Sequence, residues 1–194
     1  MLRIPDMSVS AYQAAAKWKE FVDVVALPLA SGTCGGNLEW RLTYSGELIV
    51  EGTGTMNDKP WESYKGSITK VTIKEGVTSI VDWAFYQCSN LTEVSIAESV
   101  THIGNDAFRE CSILSSLTLP EGLTHLGSGV FIQCYNLSSI IIPDGVRNIY
   151  ISTFDGCSNL SSVTISAGME SISGWAFAWC SNLRTIVCKA STPP

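Results

Sequence analysis

The stretch Cys88-Ser89-Asn90-Leu91-Thr92-Glu93-Val94-Ser95-Ile96-Ala97-Glu98-Ser99-Val100-Thr101-His102-Ile103-Gly104-Asn105-Asp106-Ala107-Phe108-Arg109-Glu110 decides the fold. Leu91, Val94 and Ile96 are apolar while Glu93 and Ser95 alternate with them, which predicts a short strand with one inward face. Val100 and Ile103 form a second short apolar stretch. Ala107-Phe108 reads as a tight helical turn that leads to the next cysteine. The whole pattern then returns at a fixed step of 23 residues. Cys88, Cys111, Cys134, Cys157 and Cys180 keep that step, as do Phe85, Phe108, Phe131, Phe154 and Phe177, and Leu91, Leu114, Leu137, Leu160 and Leu183. A fixed period of this size is the signature of a solenoid.

Working outward, a headless copy starts near Ile68 and a truncated one runs from Cys180 to Cys188, with no insertion between them. Turns carry Glu75-Gly76, Pro120-Glu121-Gly122 and Pro143-Asp144-Gly145, where Pro presets φ and Gly accepts a positive φ. One unit is too small to bury its own apolar face, so neighbours must stack, with strands ~4.8 Å apart and like residues in columns. The five periodic cysteines are then packing residues that behave as small buried hydrophobes. No C-x-x-C pair and no neighbouring histidine supports zinc. Cys34 and Cys188 stand outside the column.

Composition agrees with this picture. Twelve basic against eighteen acidic residues give a formal charge of −6, and phosphate neutralisation would need a basic patch, so nucleic acid is not expected as a partner. A 45% hydrophobic share supports a sizeable core. Forty Ser or Thr among 194 residues are what solvent-facing repeat positions leave on the surface. No apolar run of ~20 residues predicts a membrane span, and no secretory leader is recognisable around Arg3 and Asp6.

The units resemble the leucine-rich repeats of the BspA-like class over about residues 68–188, through Leu91 to Cys111 above all, with departures at Ser99 and Ile113. Ser31-Gly32-Thr33-Cys34-Gly35-Gly36-Asn37-Leu38-Glu39-Trp40 is similar to the N-terminal cap of such arrays. Leu38, Trp40 and Leu42 alternate as a first strand, Tyr44-Ser45-Gly46 turns, and Leu48 to Val50 continues as a second. The resemblance implies a right-handed leucine-rich-repeat solenoid of mainly short parallel β-strands with tight helical turns. It implies a β-hairpin cap over 31–67 and repeats over 68–194, the last one truncated. Residues 1–30 resemble a helical closing element of a preceding array, with Leu2-Arg3-Ile4-Pro5, an N-cap at Ser8 and a helix over 8–22. The joint is expected at Pro28-Leu29-Ala30-Ser31-Gly32, and the chain is expected to be a segment of a longer array. That helix is expected to cover an apolar end, in its own chain or a neighbour's, so end-to-end self-association is one expected consequence.

The expected binding surface is the concave strand face: Lys70, Thr72, Glu93, Ser95, Ser116, Thr118, Ser139, Ile141, Ser162 and Thr164, continuing to Thr185 and Val187. It reads as flat, hydroxyl-rich and nearly uncharged. Glu75, Glu98, Glu121 and Asp144 form a column that reads as exposed turn residues rather than a calcium site, since no second acidic row lies beside them. His102 and His125 stack without a third ligand, so a surface role is expected. Trp83, Tyr86, Trp175 and Trp179 read as partly packed aromatics or a patch for sugars or a protein. The sequons at Asn90, Asn136 and Asn159 arise from the repeat itself, where Asn suits a turn. No catalytic motif is present, and no enzyme activity, cofactor or metal is expected. The resemblance implies a bacterial surface or secreted protein that contacts a host or neighbouring-cell protein. A spacer array and a carbohydrate-binding module are the alternative readings.

Overall fold

The computed structural model describes residues 2–5 and 24–189, with side chains from residue 28 onward. The helix expected over 8–22 lies outside the described residues. Strands β1 (Leu2–Pro5) and β2 (Val24–Leu27) pair in parallel, with Leu2 opposite Val24, as a two-stranded sheet of their own.

The cap has one strand more than the expected hairpin. β3 (Ala30–Gly35), β4 (Asn37–Leu42) and β5 (Glu47–Thr55) form an antiparallel meander. Ala30, Ser31 and Gly32, expected in a joint, lie in β3 opposite Leu42, Arg41 and Trp40. β5 also starts the solenoid. Its first half pairs in parallel with β6 (Lys70–Ile73), and its second half, from Gly54, with β7 (Val77–Ile80). Gly52 sits between the halves at φ +114, where a Cβ would lie 2.1 Å from the Asn37 carbonyl oxygen. Only glycine tolerates that dihedral and that approach. A short 3-10 helix, Glu62–Ser67, then carries the chain into the first unit.

From there the units lay down strands on one side, all but the unit of residues 116–119, and a chain of tight turns on the other. The strand side continues from β6 to β8 (Glu93–Ile96), and resumes as β11 (Ser139–Ile141), β13 (Ser162–Ile165) and β15 (Thr185–Cys188). A second short ladder joins β7 to β9 (His102–Ile103) and β10 (His125–Leu126). It resumes between β12 (Asn148–Ile149) and β14 (Ser171–Ile172). All repeat pairs are parallel and keep the 23-residue register, Lys70 opposite Glu93 and Ser162 opposite Thr185.

The turn side is hydrogen-bonded in an alternating way. The amides of Trp83, Phe85 and Gln87 donate to Asn105, Ala107 and Arg109 of the next unit, while those of Ala84, Tyr86 and Cys88 donate back to Val81, Trp83 and Phe85. The same scheme repeats from Asp106, Phe108 and Glu110 and from Gly129, Phe131 and Gln133. To aim alternate amides both ways the chain adopts positive φ twice per unit, at Trp83 and Gln87, Asp106 and Glu110, Gly129 and Gln133, Ser152 and Gly156, and Trp175 and Trp179. Each non-glycine there costs ~1–2 kcal/mol. The cost persists because inter-unit hydrogen bonds fix the geometry.

The core is a set of columns. Phe85, Phe108, Phe131, Phe154 and Phe177 stack at centroid separations of 5.1, 5.9, 5.4 and 5.3 Å, and the first four are fully buried. Trp61 continues the stack at 5.9 Å from Phe85 and donates its indole N–H to the Ala84 carbonyl. Trp40 packs edge-on against Trp61, so the cap seals this end with aromatics. The cysteines do more than fill space. The thiols of Cys111, Cys134, Cys157 and Cys180 donate to the carbonyls of Phe85, Phe108, Phe131 and Phe154, one unit back, at 3.1–3.2 Å. All seven cysteines are free. Burial pushes the Cys88 thiol up to about 12 and Cys180 to about 11. For Cys134 burial raises it well above the ordinary range, with the neighbouring Cys111 adding to it. These thiols therefore stay protonated, and those of Cys134 and Cys180 act as donors.

An interrupted strand face as the candidate site

The pattern Leu114-Ser115-Ser116-Leu117-Thr118-Leu119 predicts a ladder strand like its neighbours. Leu117 and Leu119 do point into the core, at 7% and 4% exposure, and Ser116 and Thr118 point out. Yet residues 116–119 pair with neither β8 nor β11. A feature that sets these joints apart lies one residue beyond the strand. At three intact joints the residue after the strand donates across to the preceding unit, Lys74 to Val50, Ala97 to Ile73 and Lys189 to Ile165, whereas β11 and β13 pair without the equivalent bond from Ser166. In the third and fourth units that position is Pro120 and Pro143, which have no N–H. Both joints of residues 116–119 lose this bond. Val94 and Ile96, beside the opening, are half-buried, whereas Val71 and Ile73 one unit earlier are buried.

A crevice opens in the strand face at this place, between residues 116–119 and β11. Leu117, Leu119, Ile140 and Pro143 supply apolar walls, with Ser116, Thr118, Ser139, Glu121 and Ile141 on its lining. Ile141 is 61% exposed. Of these residues the sequence pattern places Ser116, Thr118, Ser139 and Ile141 on the outer face, but it does not show the break. The signal was present in Pro120 and Pro143, which occupy the donor position of Lys74 and Ala97.

The ten expected face residues divide into two groups. Lys70 Nζ lies 2.9 Å from a Glu93 carboxylate oxygen and 3.8 Å from Glu47, and Thr72 donates to Glu47 at 2.7 Å. The Glu93 carboxylate, accepting a hydrogen bond from Lys70, raises the Lys70 pKa above its ordinary value. Thr72 faces Ser95 across the β6–β8 pair. This end of the face is charged and self-paired through Glu47, a cap residue that the repeat pattern could not reveal. Beyond it, Ser95, Ser116, Thr118, Ser139, Ser162 and Thr164 form no side-chain hydrogen bonds among the described residues. Ser139 lies opposite Ser162, and Ile141 opposite Thr164. The free hydroxyls, the apolar Ile141 and the open backbone edge thus coincide on the far part of the face.

Other candidates resolve into structural roles. Glu75 and Glu98 accept hydrogen bonds from the Glu98 and Glu121 amides of the following units, at 3.0 and 2.9 Å. His102 and His125 stack face to face, 4.2 Å apart and 3° from parallel, a disposition that does not converge their nitrogens on one ion. Burial, then the His102 charge, lowers the His125 pKa. Asn90 donates to the Gly66 carbonyl, whereas Asn159 donates to the Asn136 side chain. Arg109 lies over both Trp83 and Tyr86, so that aromatic pair is partly packed. No group of three or more metal-ligating side chains occurs among the described residues.

A parallel-strand solenoid with an outward hydroxyl-rich face and columns of Leu, Phe and Cys defines a leucine-rich-repeat protein. The BspA type leucine rich repeat region matches residues 60–189 in six copies, and the chain belongs to that family. Among solved structures, a leucine-rich repeat protein from Eubacterium ventriosum is 27% identical, with a TM-score of 0.67, over 82% of this chain and 44% of that one. A leucine rich cell surface protein from Faecalibacterium prausnitzii is 25% identical, with a TM-score of 0.63, over 92% and 44%. A leucine rich repeat protein from T. pallidum shares the fold at 21% identity and a TM-score of 0.58, over 78% and 80%. The chain thus spans less than half the length of the first two. No curated protein matches it.

Proposed function

We propose that this chain is a non-catalytic protein-interaction module of a bacterial surface or secreted protein, and that its strand face binds an extended segment of a partner protein at the 116–119 crevice. The observation that carries this reading is the coincidence of three features there: a backbone edge without ladder bonds, unpaired hydroxyls, and apolar walls with Ile141 beside them. Extended peptides bind sheets by backbone hydrogen bonds, and alternate side chains enter pockets. The charged end around Lys70, already satisfied by Glu47 and Glu93, borders the site. A location outside the cell is supported by the family and by the Faecalibacterium neighbour described as a cell surface protein. No helix among the described residues is long and apolar enough to cross a membrane.

Selection of peptides from a random displayed library against the chain tests this reading. Selected peptides are expected to slow amide exchange at residues 116–119 and 139–141, and Thr118→Arg or Ile141→Lys is expected to abolish binding with circular dichroism unchanged. Failure to select any peptide, or binding indifferent to both substitutions, contradicts it and favours the spacer reading.

A further inference from the structure

The turn side carries a second recess, away from the strand-face crevice. The residue before each column cysteine is Gln87, Glu110, Gln133, Gly156 or Trp179. In the first units these side chains are linked across the joints. Lys65 Nζ donates to Gln87 Oε1 at 2.7 Å, and Gln87 Nε2 donates to Glu110 at 3.0 Å. The linkage stops there. The side chains of Gln133 and Asp155 form no hydrogen bond among the described residues, and Tyr135, 43% exposed, makes no ring contact among them. Gly156 has no side chain, and a notch of about 310 Å³ lies over it between Gln133 and Trp179, with Tyr135 and Asp155 on its lining. Gln133 and Tyr135 also line a shallow groove of about 530 Å³ that extends along Ser112, Glu110, Ser89 and Gln87.

A pyranose offers an apolar C–H face and a rim of hydroxyls that both donate and accept. The notch offers the complement: aromatic rings at Tyr135 and Trp179, an amide at Gln133 that donates and accepts, and an acceptor at Asp155. The groove adds the Ser89 and Ser112 hydroxyls. Units advance by ~4.8 Å, close to the length each pyranose adds to an extended glycan, so successive units can meet successive sugars. Other ligands fit less well. The amides of Gln87, Glu110, Gln133 and Gly156 all donate to the next unit, so no backbone edge is open to an extended peptide. Glu110 and Asp155 on the lining oppose a polyanion.

We propose that this notch and groove bind a neutral oligosaccharide, with Tyr135 and Trp179 packing on sugar rings and Gln133 and Asp155 bonding hydroxyls. Both walls of the notch, Gln133 and Trp179, belong to the units that adjoin Gly156, so the recess is internal to the array. The proposal stands independently of the peptide-binding reading, because it uses the turn side and not the crevice.

The repeat itself supplies variants that keep the fold. Gln87 and Gln133 already hold the positive φ of this position, so Gly156→Gln fills the notch with a residue the turn accepts. Ser occupies the Tyr135 position in the other units, at 89, 112, 158 and 181, so Tyr135→Ser removes only the ring. Binding of the full chain to a printed array of neutral gluco-, galacto-, manno- and xylo-oligosaccharides, beside sulfated and sialylated ones, tests the proposal. Retention is expected on at least one neutral series and is expected to strengthen with oligosaccharide length. Each variant is expected to weaken it at least about tenfold, equivalent to ~1.4 kcal/mol, with circular dichroism unchanged, while Thr118→Arg in the crevice leaves it intact. No binding to any neutral oligosaccharide, binding confined to the charged ones, or binding that either notch variant leaves unchanged overturns the proposal.

Discussion

The turn side and the strand side of the solenoid are made by the same units, yet only the turn side is bonded without interruption. Backbone hydrogen bonds cross it at every joint from Trp83 to Gly156, and the Phe column runs beneath it. The strand side parts at residues 116–119. The difference follows from where each side obtains its donors. On the turn side, amides of residues such as Phe108 and Phe131 span the joint, helped by thiols that donate to phenylalanine carbonyls. On the strand side the last bond depends on the residue after the strand, and proline deletes it. One continuous side holds the stack together and leaves the other free to vary.

That comparison can be broken most severely at Phe131. Phe131→Ala empties the middle of the column and is expected to cost about 3–5 kcal/mol, measured by urea unfolding. An unchanged midpoint would remove the column as the source of stability. The thiols offer a sharper probe of the same side. In the native protein Cys188, which is exposed, is expected to react rapidly with a thiol reagent, while Cys34, Cys88, Cys111, Cys134 and Cys157 stay protected until unfolding. Rapid native modification of those five would place the column in solvent.

Smaller effects are expected elsewhere. Pro120→Ala supplies an amide able to donate to Ile96 as Ala97 does to Ile73. Stability is expected to change by no more than about 1 kcal/mol, with a newly protected amide at residue 120. Ser152→Gly relieves a positive φ and is expected to stabilise by up to ~1 kcal/mol in thermal unfolding. The pH effect is smaller still. The folded state lowers the His125 pKa, so its neutral form is favoured. The corresponding stability is present in full above the ordinary histidine value of about 6.5 and is lost as pH falls from there through the lower folded value. Unfolding midpoints at neutral and mildly acid pH are expected to differ less in a His102→Ser variant, which removes the neighbouring charge.

Much of the fold was legible because repetition turns weak local signals into columns. Val94 and Ile96 alone suggest a strand, but the 23-residue return of Leu, Phe and Cys fixes the stacking register. The cap was partly legible. β4 and β5 show alternation, whereas β3 runs through Ala30-Ser31-Gly32-Thr33, small and polar residues that resemble a joint. Positive φ at Trp83 and Gln87 had no signal, because the inter-unit hydrogen bonds impose it against residue preference. Of the candidate site, the outward set from Lys70 to Thr164 followed from period-two alternation. Its division did not, since Glu47 lies outside the repeat and the prolines were read as turn residues rather than as missing donors.

Residue-resolved amide hydrogen exchange tests the contrast between the two sides most directly. The amides of Phe85, Phe108 and Phe131 are expected to be strongly protected, together with Ala97 on the strand side, while those of Ser116 to Leu119 exchange orders of magnitude faster. Equal protection of Ser116–Leu119 and the strand residues of the neighbouring units would contradict the account, because the strand face would then be one unbroken sheet with no crevice to bind a partner.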